Sequence, residues 1–181
     1  MFVVKFTQNS STPWFGFLKP YNAVRDDETY SLTYLTPSIL NGIEVEHNIP
    51  MDSIVRNKLV FNGQQKEQVK THTYRKYKSR NKLIDVEDVS IHKIYKLVNP
   101  VIYLAFNDKD IAEEMSNNII YCGRYEYPLY SNGVEEHSDE WFDAIEGTEI
   151  TSVNENDENS IFCGFNRFKN DEKMFINIQR N

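Results

Sequence analysis

Hydrophobic and polar residues alternate along several short stretches of the chain, which is the pattern of strands with one buried face. Residues 2–6, 53–61 and 83–91 show it with β-branched or aromatic side chains. Residues 43–46 alternate too, so a strand is expected there. Residues 101–106 form a continuous apolar run, which is typical of a fully buried strand. The chain is therefore expected to be rich in strands.

Further strands are predicted beside turn sequences. Asn62-Gly63 is a common turn pair. Residues 121–129 alternate again. Residues 161–168 and 173–178 are predicted to pair as a C-terminal β-hairpin about residues 169–172.

One segment, residues 108–119, carries a clear helical pattern. Asn107 or Asp108 can cap it, and acidic residues follow near its N-terminus. Pro37 followed by Ser38 permits a second, short helix. In the helix at residues 108–119, the positions expected to face the core are Ile111, Ala112, Met115 and Ile119.

These elements predict an α+β fold in which residues 1–181 form a single domain. The expected architecture is ferredoxin-like, of the RAMP or RRM type: an antiparallel sheet with helices on one face, plus the C-terminal β-hairpin. Such a sheet leaves its other face open. No run approaches the roughly 18 apolar residues of a membrane span, and the first residues lack the features of a signal peptide, so a cytoplasmic protein is expected.

Charge is segregated along the chain, although its net value is only −7. Residues 56–82 contain nine of the twenty Lys and Arg and one acid, a local charge of +8. Within this stretch residues 64–82 lack aliphatic periodicity, and residues 62–82 are expected to form a basic protruding hairpin or loop. Residues 133–159 form an acidic segment with ten acids and no Lys or Arg. The chain is thus expected to present two oppositely charged surfaces.

The basic segment interleaves cations with tyrosines, which favours nucleic-acid binding. Lys and Arg contact phosphates regardless of sequence, and a tyrosine ring can stack on a base. A solvated basic loop is the alternative. The predicted RNA-binding residues are Lys70, His72, Tyr74, Arg75, Lys76, Tyr77, Lys78, Arg80 and Lys82.

The same segment is a candidate for catalysis, because metal-free RNA cleavage needs a base near the 2′-hydroxyl and a cation near the leaving oxygen. His72 with Lys76 or Lys78 fits those roles. The four histidines fall in separate segments, and two cysteines cannot alone fill a structural zinc site. No Gly-rich phosphate loop or nucleophile elbow is present. We therefore expect no metal and no cofactor.

Two adjacent aromatic residues, Trp141 and Phe142, interrupt the acidic segment beside Asp139 and Glu140. Aromatic residues within a charged rim often anchor protein interfaces, so these four residues are candidates for protein binding. The alternative is that the rings fix the segment to the protein's own core. Both remain open from the sequence.

The order of several stretches resembles the Cas-five family, the RAMP-fold subunits of CRISPR Cascade complexes that hold the five-prime handle of the guide RNA. The resemblance covers roughly residues 30–130. It is carried by Tyr-Leu-Thr-Pro-Ser-Ile-Leu-Asn-Gly-Ile at residues 34–43, by residues 83–89 and 102–106, by the helix at 108–119, and by Gly-Arg-Tyr-Glu-Tyr-Pro-Leu at 123–129.

The resemblance implies an RNA-binding subunit of a multisubunit ribonucleoprotein, with single-stranded RNA and other protein subunits as partners and no membrane. Arg75, Lys76, Lys78 and Arg80 would bind phosphates, and Tyr74 or Tyr77 a base. One branch of the family cleaves repeat RNA without metal, for which Tyr34, His72 and Lys76 are the nearest candidates. An acidic phage-encoded inhibitor or immunity protein that acts through residues 135–149 is the third hypothesis.

Overall fold

The computed structural model describes residues 1–8, 17–18, 28–31, 34–79, 82–121, 128–150, 160–169 and 171–177. This part of the chain forms eleven strands and three helices. They are β1 (Phe2–Thr7), β2 (Phe17–Leu18), β3 (Glu28–Ser31), α1 (Pro37–Glu46), β4 (Ile54–Val60), β5 (Gln64–Ser79), β6 (Lys82–Leu97), β7 (Val101–Phe106), α2 (Lys109–Ser116), β8 (Ile119–Tyr121), β9 (Pro128–Glu136), α3 (Asp139–Asp143), β10 (Ser160–Phe165) and β11 (Lys173–Asn177).

The central sheet has the connectivity of a ferredoxin-like fold. Its order is β4-β7-β1-β9-β8, and every neighbouring pair is antiparallel. β1 leads through α1 to β4 with β7 between them, and β7 leads through α2 to β9 with β1 between them. β8 adds a fifth strand at one edge. The predicted strand-rich α+β fold is confirmed, as is the C-terminal hairpin formed by β10 and β11.

The main core lies between one face of this sheet and the helices α1 and α2. Every second side chain of β1 and β7 points to this face, because successive residues of a strand point to opposite faces of the sheet. The sheet contributes Val4, Phe6, Ile102, Leu104 and Phe106, and the helices contribute Leu40, Ile43, Ala112 and Met115. The same two helices therefore share one hydrophobic layer, as expected.

Helix α1 begins where the sequence permits it and continues through the stretch expected to be a strand. Thr36 caps it by accepting a hydrogen bond from the Ile39 amide at 3.3 Å, and Pro37 occupies the first turn. The strand prediction for residues 43–46 is wrong. The neighbours Ile43 and Glu44 are both buried, whereas Val45 is 69% exposed, so burial follows a helix instead of the apolar alternation.

Helix α2 has Asp108 as its cap, which confirms one of the two predicted residues. The Asp108 carboxylate accepts from the amides of Asp110 and Ile111. The helix ends at Ser116, three residues earlier than predicted. Ile119 therefore lies in β8 and is partly exposed, while Ile120 takes the buried position instead.

A long antiparallel hairpin, β5 with β6, extends from the central sheet. β4 leads into β5 and β6 leads into β7, so the pairing of β4 with β7 continues into the hairpin. At the junction the Asn62 amide donates to the Val98 carbonyl, and the Val98 amide donates to the Gly63 carbonyl. Asn62-Gly63 therefore joins two consecutive strands that run in the same direction and does not form a hairpin turn. The φ of Gly63 is 106°, a value that glycine adopts readily. The partner β6 includes the predicted strand at residues 83–91.

A buried ion pair ties the C-terminal hairpin to the rest of the protein. Arg167, which follows β10, binds the carboxylate of Glu44 at the end of α1 and donates to the Ile54 carbonyl at 3.1 Å. Both side chains are almost completely buried. The Glu44 carboxylate also accepts from the amides of Asp52 and Ile54, at 3.1 and 2.9 Å. Glu44 is therefore buried as a fully bonded group.

We expect Arg167→Met to destabilise the protein by about 3 to 5 kcal/mol, because it leaves the Glu44 carboxylate buried without its cation. The matched control is Lys169→Met, which removes an exposed pair with Glu172 and is expected to cost about 1 kcal/mol or less. Urea unfolding of both variants measures the difference. Equal costs would contradict the assigned role of Arg167.

Candidate nucleic-acid interface

The residues predicted to bind RNA are brought together by one strand of the long hairpin. Lys82 is the first residue of the other strand, β6. Arg80 lies outside the described residues. The predicted residues that lie in β5 are Lys70, His72, Tyr74, Arg75, Lys76, Tyr77 and Lys78.

Positive charge is concentrated on β5 and not on its partner. β5 carries five Lys or Arg and one acid, whereas β6 carries three Lys and three acids. The register places Lys76 opposite Asp85 and Tyr74 opposite Glu87. In the described part of the chain, β5 is also the outer strand of a four-stranded sheet of order β2-β3-β6-β5. The five cations of β5 lie between residues 66 and 78, so their backbone positions spread over about 40 Å of the strand.

The first two cations of the basic segment are already paired with the acidic segment. Arg56 in β4 binds Asp143 at 2.7 Å and Glu149 at 2.9 Å. Lys58 lies 3.9 Å from Glu149 and donates to the Ile145 carbonyl. The hydrogen bond to Glu149, followed by that to Asp143, raises the pKa of Arg56. Part of the acidic segment thus docks against this protein's own chain.

The second face of the central sheet is covered by α3, which corrects the expectation of an open face. Phe142 is completely buried there with Val3 and Ala105. The Arg56 guanidinium lies over the Phe142 ring, 4.7 Å from its centre. Phe142 is therefore a core residue that fixes the acidic segment to the sheet. It has no surface to offer a protein partner.

Trp141, in contrast, reaches the surface with 38% of its area exposed. Its ring stacks on His137, with 3.4 Å between centres, and meets Tyr103 edge-on at 6.2 Å. Asp139 and Glu140 beside it are exposed, and hydrogen bonding to Ser138 lowers the pKa of the Glu140 carboxyl. This surface is aromatic and negatively charged, which disfavours a phosphate backbone.

The three catalytic candidates lie in two separate parts of the fold. Tyr34 precedes α1 and packs, partly buried, against the main core. His72 and Lys76 are four positions apart in β5, which separates their backbones by about 13 Å. Within the described ranges, no three His, Cys, Asp or Glu side chains form a group that could hold a metal ion.

Sequence reasoning missed α3, β9 beyond Leu129, and the ion pairs of Arg56. A signal for α3 was present, since Ser138 followed by two acids is a common helix start; its hydroxyl accepts from the Trp141 amide. Nothing local connects Arg56 with Glu149, which are 93 residues apart. Only the folded sheet brings them together.

A comparison with known protein families found no family model that matches this chain, and a comparison with curated proteins found no match either. Among the described helices, none has the length and apolar character needed to cross a membrane.

We expect Phe142→Ala to cost about 3 to 5 kcal/mol of stability, because a fully buried ring is lost. Trp141→Ala should cost about 1 kcal/mol, since that ring is partly exposed and contributes mainly ring contacts. Guanidinium unfolding of the two variants gives the comparison. Near-wild-type stability for Phe142→Ala would contradict the role of α3 as a cover for the sheet.

Proposed function

We propose that this protein is an RNA-binding subunit of a cytoplasmic ribonucleoprotein complex and that it holds single-stranded RNA along β5. The observation that carries the proposal is the collection of seven predicted RNA-binding residues on one extended strand. Guide-RNA handle binding in a CRISPR-type complex is the specific role that the sequence resemblance suggests.

The distribution of charge supports an RNA site on the hairpin and not on the sheet. Arg56 and Lys58 are neutralised by carboxylates at the base of the basic segment. The cations of β5 come later in the chain than Arg56 and Lys58, in the long hairpin that continues from β4 and β7. The covered sheet face carries carboxylates that repel phosphate. The hairpin is therefore favoured over the covered sheet face as the place where phosphates bind.

A second candidate function is protein binding through the acidic surface of α3. It is favoured by the partial exposure of Trp141 beside Asp139 and Glu140. This function is compatible with the first, since a subunit of a ribonucleoprotein needs protein contacts as well as RNA.

Removing two lysines from β5 tests the RNA site. If about four phosphates of a single strand are engaged, log Kd should change with log salt with a slope of magnitude near 3, or about 60-fold in affinity between 50 and 200 mM. In Lys76→Ala/Lys78→Ala the magnitude should fall by about 1.4, because two phosphate contacts are lost. Fluorescence anisotropy with labelled single-stranded RNA, without metal, gives the slope.

The matched control is Lys5→Ala/Lys109→Ala, which makes the same change in net charge outside the hairpin. It should bind RNA with the wild-type slope. Equal slopes for both double variants would contradict the proposed site. A denaturing gel of the same samples shows whether the RNA is also cleaved; a discrete product lost in His72→Ala would extend the function to an endoribonuclease.

A further inference from the structure

Three phenylalanine side chains lie on the surface of the C-terminal hairpin and the turn that follows β10. Phe162, Phe165 and Phe168 are 48%, 54% and 56% exposed. We call this set the phenylalanine platform. Each large apolar ring left in water forgoes the free energy of burial, so three on one small hairpin indicate a binding surface.

A β-bulge brings two of these rings onto the same side of the hairpin. Side chains three residues apart in a regular strand point to opposite faces. Here Cys163 and Gly164 together oppose the single residue Met174, and this extra residue shifts the phase of β10. Phe162 and Phe165 consequently share one face, where their rings meet edge-on at 5.3 Å.

The opposite face of the hairpin is fixed to the core, which holds the platform in place. Cys163 packs against the main core cluster, and Met174 is buried. Gly164 has a φ of +132°, which other residues rarely adopt, and a Cβ there would lie 3.5 Å from Pro37. Arg167 anchors the end of β10 to Glu44. The exposed rings are therefore preorganised.

Two exposed lysines lie beside the platform. Lys173 lies directly opposite Phe165 in the strand register and is exposed. The Arg167 guanidinium lies 5.6 Å from the centre of the Phe168 ring and helps to position it, while its charge is balanced by Glu44. Lys169 is largely exposed, and its nearest carboxylate, Glu172 at 3.5 Å, is also bound by Asn166. Flat apolar rings between positive charges complement a chain of planar bases and phosphates.

We infer that the phenylalanine platform stacks unpaired bases of the single-stranded RNA whose phosphates β5 binds. This inference rests on the proposed function, and it adds a second contact on a different element. Stacking on aromatic rings accepts any base, so the platform contributes affinity without reading sequence. The cations of β5 supply the part of the RNA affinity that falls with salt concentration, and stacking on the platform supplies a part that does not depend on salt.

The test is RNA affinity of Phe162→Ala/Phe165→Ala across a salt series, measured by anisotropy with labelled single-stranded RNA. Stacking of one base predicts a loss of about 5-fold to 160-fold at every salt concentration, with the wild-type slope retained. The control Tyr130→Ala removes a partly exposed aromatic ring from β9 and should leave affinity unchanged. If the alanine variant fails to fold, Phe162→Leu/Phe165→Leu keeps the apolar volume and removes the rings.

The outcomes separate this inference from the proposed function. If the wild type and the platform variant bind RNA equally while Lys76→Ala/Lys78→Ala binds with a reduced slope, the platform is overturned and the β5 site stands. If the wild type does not bind RNA at low salt, both are overturned. If the platform variant instead loses only sedimentation with phosphatidylserine vesicles, the rings serve a membrane surface and the inference is overturned.

Discussion

The buried carboxylate of Glu44 is the interaction on which the placement of both proposed RNA contacts depends. Its oxygens accept from the amides that lead into β4 and from Arg167 of the C-terminal hairpin. One side chain thus fixes the end of α1, the start of β4 and the base of the phenylalanine platform. β4, whose start this carboxylate binds, continues along the chain into the basic strand β5. A buried charge of this kind is costly unless every partner is in place, so it strongly disfavours other arrangements of these elements.

The two charged segments have different structural roles. The acidic segment is held on the sheet by Phe142 and by Arg56, and it closes the face that many ferredoxin-like proteins leave open. The cations of β5 remain on an outer strand. Lysines on such a strand also prevent unwanted pairing with other sheets, so they have a structural value in addition to any role with RNA. If the protein binds RNA as proposed, the opposite signs of the two surfaces would orient the nucleic acid toward the hairpin.

Local signals in the sequence predicted most of the strands and both longer helices. The side chains of Thr36 and Asp108 accept hydrogen bonds from the first amides of their helices, and Pro37 fits the first turn of α1; this information is local. The pattern failed at residues 43–46, because Glu44 is buried through contacts with residues up to 123 positions away. The pattern also did not predict that Phe162 and Phe165 share a face. Their shared face depends on a β-bulge, which the alternation of apolar and polar residues does not show. The candidate RNA site was predictable as a set of residue types, whereas the division of charge between β5, β4 and α3 required the fold.

The proposed RNA site lies along β5, outside the ferredoxin-like sheet. Zero-length ultraviolet crosslinking of the wild-type protein to uridine-rich single-stranded RNA, followed by mass spectrometry of the crosslinked peptides, tests it most directly. Crosslinks are expected in a peptide that contains Tyr74 or Tyr77. Crosslinks confined to the sheet face around Tyr103 and Trp141, or none at low salt, would contradict it.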